Sequence, residues 1–182
     1  MLSHFRPAFV LLFLFTLLLG FAYPLAMTSV ANLAFPAQAS GSLVRDGDRL
    51  IGSALIGQAF TSEGYFHPRP SASGYDAMAS GGSNLGPLSK KLIDRVTGDL
   101  AGAAGPVPAD AVTTSASGLD PDISPQNALS QVARVAVARN LPSDKVAALV
   151  GDQTSQPLLG LIGEPRVNVL ALNLALDKLA AN

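Results

Sequence analysis

Ser80, Gly81, Gly82 and Ser83, followed by Asn84-Leu85-Gly86-Pro87, stand directly ahead of a stretch with helical spacing. Glycines let backbone N–H groups approach an anion, and a helix N-terminus favours negative charge, so this pattern suits a phosphate or a carboxylate. It is not a Walker A loop, because no Gly-Lys-Ser/Thr follows. A Gly-Gly pair serves equally as a tight loop with a capped helix behind it. Upstream, Tyr65-Phe66-His67-Pro68-Arg69-Pro70-Ser71 sets an arginine between prolines beside two aromatics. Arg69 could hold a partner's carboxylate bidentately, or make an internal ion pair while Tyr65 and Phe66 pack.

Other combinations carry less. His67, Asp76 and one of Ser71, Ser73, Ser80 or Ser83 could be drawn as a hydrolytic triad, but no nucleophile-elbow pattern accompanies them. Asp120-Pro121-Asp122 lacks the further spaced ligands of a calcium loop and reads as a turn before a helix. Glu164, Arg166 and Asn168 form a polar cluster at a helix start, suited to capping and ion pairing. With no Cys and only His4 and His67, neither a thiolate zinc site nor a His-rich metal site is expected. No catalytic residue is expected either.

The elements that must position these residues follow from periodicity. Residues 66–87 read as a long irregular loop, a length at which loops are often functional. Leu88, Leu92, Ile93, Val96 and Leu100 share one helical face. Residues 108–114 suggest a strand. Ser124 as N-cap, Pro125 at the first helical position and Asn140 at the left-handed end frame a helix over residues 124–139. A shorter helix is expected with Ser143 as its cap, then a buried strand over residues 158–162. A last, largely apolar helix runs from Pro165 or Arg166 to Leu179. Arg45-Asp46-Gly47-Asp48-Arg49 reads as a turn, with a strand or two in residues 50–60.

Charge divides the chain. Of its 182 residues, only Arg6 is charged before Arg45, so residues 45–182 hold 11 basic and 13 acidic residues, a net charge of −2. Near-neutral charge without a basic run argues against nucleic-acid binding, and the absence of Trp argues against a stacking platform. Residues 8–27 are almost unbroken apolar sequence, and about 20 helical residues span a hydrocarbon core of about 30 Å. With His4 and Arg6 as the near-end positive groups, the positive-inside rule puts the N-terminus in the cytoplasm and the folded part outside. Ala37-Gln38-Ala39 has the form of a cleavage site, but the apolar run exceeds an ordinary signal core, so a retained anchor is expected. The organisation is then residues 1–27 as cytoplasmic tip and anchor, 28–44 as linker and 45–182 as one compact extracytoplasmic α+β domain.

Over nearly its whole length the chain resembles the C subunit of the bacterial Kdp potassium-transporting P-type ATPase. The resemblance rests on residues 52–58, 65–72, 75–76, 80–87, 108–110, 117–121, 123–125 and 163–170, in the family's order behind the same single anchor. His67-Pro68 stands where the family has Trp-Gly, and Asp122 and Gln153 stand where it has His. The resemblance implies a non-catalytic subunit of the plasma membrane with no cofactor of its own. Its implied partners are a channel-like potassium-binding subunit, the P-type ATPase subunit that hydrolyses ATP with Mg2+, a very small peptide subunit and the bilayer. ATP and K+ belong to the complex. Within it, the C subunit is needed for assembly and acts as a catalytic chaperone that raises ATP affinity. Ser80, Gly81, Gly82 and Ser83, which also resemble the serine–glycine–glycine signature of ABC-type ATPases, are the family's candidates for nucleotide contact. A domain outside the membrane cannot touch cytoplasmic ATP, so the domain is expected to cap the potassium-entry side and any effect on ATP to be indirect. Candidate partner contacts are Tyr65, Phe66, Arg69, Ser71, Tyr75, Asp76, Asn84, Glu164, Arg166 and Asn168. A stand-alone membrane-anchored periplasmic binding module or hydrolase is the alternative.

Overall fold

The computed structural model describes residues 4–101 and 105–180. It divides into two units, residues 1–53 and 54–182.

In the first unit a single helical rod, Phe5–Ala34, is long and apolar enough to cross a membrane. It comprises α1 (Phe5–Leu17), a π-helical turn (Leu18–Ala22) and α2 (Tyr23–Ala34). The wide turn has a cause in Pro24: a proline lacks its N–H and crowds the carbonyl four residues back, here that of Gly20, inside the π segment. Three of the rod's polar side chains bond back to its own backbone. Thr16 Oγ1 donates to Leu12 O at 2.7 Å, Ser29 Oγ to Leu25 O at 2.8 Å and Asn32 Nδ2 to Thr28 O at 2.9 Å. Such back-bonding satisfies donors that lipid could not. The stretch 28–44, read as a linker, is instead helical to Ala34 and again in α3 (Pro36–Ala39). Its Ala, Asn, Ser and Thr residues carry no charge or glycine before Gly41 that would stop the helix. A hairpin follows, β1 (Leu43–Asp46) with β2 (Arg49–Ser53), antiparallel with Asp46 opposite Arg49. Gly47 supplies the positive φ of +56° that its two-residue loop needs.

The second unit begins with an irregular run to Ser89, as the density of Gly, Pro and Ser predicts. Then come α4 (Lys90–Leu100), α5 (Ala109–Val112), β3 (Asp122–Ile123), α6 (Pro125–Arg139), α7 (Ser143–Asp152), β4 (Thr154–Ser155), β5 (Arg166–Asn168) and α8 (Val169–Ala180). The small sheet is antiparallel in the order β3-β5-β4, pairing Ile123 with Val167 and Val167 with Thr154. Its core joins Val132, Val135 and Ala136 of α6, Val146 and Val150 of α7, and Leu172 and Leu176 of α8 to Ile123, Val167 and the fully buried Phe66. The expected α+β class holds. So do the ends of α6: Ser124 Oγ accepts from Asn127 N–H at 3.0 Å, and Asn140 adopts φ +55°.

Four expected features differ. Residues 108–114 contain the helical turn α5, closed by Thr113 N–H and Oγ1 on Ala109 O, rather than a strand. Seven residues are too few for periodicity to separate the two. The last helix starts at Val169, because residues 166–168 pair as β5 and Asn168 becomes the N-cap, its Oδ1 accepting from Ala171 N–H at 3.0 Å. Residues 158–162 are not a buried strand but an exposed turn, bent by positive φ at Leu159, Gly160 and Gly163. In α7, Pro142 holds the cap position and Ser143 is already helical.

Candidate functional site

Four of the residues singled out from sequence converge on one cleft. Arg69, Glu164, Arg166 and Asn168 meet Asp110, Asp120 and Asp122 around an opening of about 480 Å3, which the first three line directly. Arg69 Nη1 pairs with Asp120 Oδ2 at 3.0 Å, and its Nη2 reaches Thr113 Oγ1 and Thr114 O. Arg69 is therefore engaged within the fold. Arg166 Nε pairs with Asp122 Oδ2 at 3.1 Å, while Asn168 Nδ2 donates to Asp122 Oδ1 at 3.2 Å and to Ala54 O at 3.0 Å. Asp122 thus anchors both an arginine and the cap of α8. Asp110 closes the cleft floor, accepting from Ser124 N–H, Ser124 Oγ and Asn127 Nδ2. Burial pushes its carboxyl up, but those hydrogen bonds outweigh burial and hold it below the usual carboxylate range.

A second arrangement holds the segment leading to the cleft. Phe66 N–H donates to Asn173 Oδ1 at 2.8 Å, and Asn173 Nδ2 returns a bond to Phe66 O at 3.0 Å. His67 repeats the pattern with Gln131, at 2.8 Å and 3.1 Å. Two consecutive residues are thus each gripped at both backbone polar groups by a carboxamide. Arg139 Nε bonds Gly64 O at 2.7 Å and Arg134 Nη1 bonds Tyr65 O at 3.0 Å. Arg139 also covers the Tyr65 ring, 4.4 Å from its centroid, and pairs with Asp177 at 2.7 Å, whose other oxygen accepts from Tyr65 Oη. Side chains of α6 and α8 therefore replace a missing strand partner for residues 64–67.

Residues 80–83 are woven against residues 114–117. Gly81 N–H donates to Ser117 O at 2.8 Å, Ser80 Oγ to the same oxygen at 3.0 Å, and Thr114 Oγ1 to Ser83 Oγ at 3.1 Å. A Cβ on Gly82 would sit 2.9 Å from Ala116 O. These glycines permit close backbone contact. Ser71 Oγ donates to Gly118 O at 2.6 Å and accepts from Tyr75 N–H, while Tyr75 Oη donates to Arg69 O. Burial pushes the Tyr75 phenol up. Gly118, at φ +69°, has no room for a side chain, since a Cβ would meet Ser73 Oγ and Gly81 O. Asp76 Oδ1 accepts from Met78 N–H at 2.9 Å, and Asn84 turns the exposed chain with φ +51°. His67 Nε2 lies 3.1 Å from Ser62 O. The His67 and Asp76 of the sketched triad are thus bound to separate backbone groups. Among the described residues no three His, Cys, Asp or Glu side chains are grouped to hold a metal ion.

Sequence reading passed over Gln131, Arg134 and Asn173. Asn173 carried a signal: it is the polar member of the otherwise apolar row Val169, Asn173, Leu176 in a helix predicted to be buried. A polar side chain on such a face needs a partner.

The family model of the "K+-transporting ATPase, c chain" matches residues 5–178. The chain belongs to this family, KdpC. A protein of Caulobacter vibrioides named "Potassium-transporting ATPase KdpC subunit" is 63% identical over 185 residues, covering 97% of this chain and 94% of that protein. Proteins of the same name from Allorhizobium ampelinum and Bradyrhizobium diazoefficiens are 61% and 56% identical, with at least 99% of each chain covered. The match spans both the apolar rod and most of the folded unit.

Proposed function

We propose that the chain is the accessory, non-catalytic subunit of a potassium-transporting ATPase complex, held in the plasma membrane by its N-terminal helix. The observation that carries this reading is the near full-length identity to proteins named as that subunit. The partners on this reading are a channel-like potassium-binding subunit, the ATP-hydrolysing subunit and a small peptide. ATP, Mg2+ and K+ act on those partners.

The folded unit lies outside the cytoplasm, because Arg6 is the sole formal charge before Arg45 and the positive-inside rule retains it. The chain aids assembly and raises the ATP affinity of the catalytic subunit through a coupling between distant sites. A coupling of about 1–3 kcal/mol changes affinity roughly 5- to 150-fold. Residues 80–83 contribute by bracing the loop rather than by touching nucleotide.

The test is removal of the gene and its return. Without the chain, growth at micromolar potassium and co-purification of the other subunits are lost, and both return with the full-length chain. Unchanged uptake and assembly in its absence would overturn the assignment.

A further inference from the structure

We propose that the π-helical turn of the membrane rod is a hydrogen-bonding seat, in which the backbone carbonyls of Leu19 and Gly20 accept from a hydroxyl or carboxamide side chain on a membrane helix of another subunit. This inference rests on the subunit assignment above.

The turn leaves two carbonyls without their ordinary donors. In an α-helix Leu19 O would accept from Tyr23 N–H, four residues on. Here Tyr23 N–H bonds Leu18 O instead, five residues back. The next residue, Pro24, has no N–H to offer in its place. Gly20 O would accept from that same residue and loses its α-helical donor outright. Three of the rod's side-chain donors are spent elsewhere, Thr16 on Leu12 O, Ser29 on Leu25 O and Asn32 on Thr28 O.

Depth makes the deficit costly. Residues 8–27 form the apolar run. At about 1.5 Å per residue, Leu19 and Gly20 lie about 2–4 Å from its middle. Hydrocarbon at that depth holds no water to solvate a bare carbonyl. The seat is also open: Gly20 has no side chain to shield its carbonyl, and a Cβ there would meet nothing within 4 Å. Glycine in a membrane helix lets a neighbouring helix come close.

These features set the occupant. It is a donor, because the seat offers acceptors. It is neutral, because a charged donor at mid-depth is costly. It stands on another chain: among the described residues Phe5–Ala34 is the one helix long and apolar enough to cross a membrane, and none of its residues is buried within the chain. On the subunit assignment, membrane helices of the other subunits stand beside the rod.

The test is competition in cells. A natural and a variant full-length chain, carrying different tags, are co-produced with limiting amounts of the other subunits. Their ratio in the purified complex is measured against their ratio in carbonate-washed membranes. Pro24→Ala gives residue 24 its N–H and lets the α-helical register resume. Gly20→Leu keeps Pro24 but shields the carbonyls. Each is expected to enter the complex at least about five-fold less than the natural chain, the scale of a hydrogen bond between membrane helices. The double variant is expected to do no worse than either single one, because both remove the same bond. Pro7→Ala is expected to compete equally, since the residue four before Pro7 precedes the helix. Equal entry of Pro24→Ala or of Gly20→Leu overturns the proposal. A double variant that suffers the product of the two single losses also overturns it, because bend and packing then act independently. If differently tagged chains co-purify without the other subunits and Pro24→Ala abolishes that pairing, the seat belongs to a second copy and the proposal falls. Failure of the natural chain to enter the complex instead brings down the subunit assignment, and the seat with it.

Discussion

Residues 64–67 and residues 158–162 both lie outside helix and extended sheet, yet they are treated oppositely. Around Phe66, helices α6 and α8 supply carboxamides and guanidinium groups to backbone atoms that lack a strand partner. The 158–162 turn satisfies its own backbone and leaves its apolar side chains in water. An irregular segment inside a fold needs polar partners for its backbone, whereas a surface turn can satisfy its backbone by closing on itself. The contrast separates a segment the fold buries and bonds from one it leaves in water.

The contrast breaks most severely at Phe66. Phe66→Ala empties the centre of the core and is expected to destabilise by about 4 kcal/mol in denaturant unfolding of the detergent-solubilised chain. Asn173→Leu keeps the branching at Cγ but removes both polar atoms, adds bulk and strands Phe66 N–H and O, for an expected loss of about 3 kcal/mol. If it proves neutral, the carboxamide grip is not what orders the segment. Asp110→Ala removes three hydrogen bonds at the start of α6 and is expected to cost about 2 kcal/mol at neutral pH. Because the folded carboxyl sits below its unfolded value of about 3.9, its contribution is present above that pH and is lost as pH falls through the folded value. Melting curves of natural chain and variant should therefore converge in acid. The smallest stability effect belongs to Leu159→Ser/Leu161→Ser, within about 0.5 kcal/mol, since neither side chain is in the core.

Much of this was legible in the sequence because it is written in local chemistry. Ser124, Pro125 and Asn140 delimit α6 by capping rules that act over one turn. The apolar rod follows from composition alone. The exposed turn was misread because Leu158 to Ile162 has the composition of a buried strand, and the positive φ at Leu159, Gly160 and Gly163 bends it into a turn. The cleft was half legible: Glu164, Arg166 and Asn168 are neighbours in the chain, but their meeting with Asp120, Asp122 and Arg69 depends on the pairing of β3 with β5. Gln131 and Asn173 were missed because their partners are backbone atoms about 64 and 107 residues away, which no spacing rule reaches.

On the proposed topology the folded unit works outside the cytoplasm, away from ATP. The most direct test is the Val137→Cys chain in intact cells producing the full complex, exposed to a membrane-impermeant maleimide. Labelling of intact cells is the result this account requires. Labelling that begins only when the cells are broken would put the unit beside the nucleotide and contradict it.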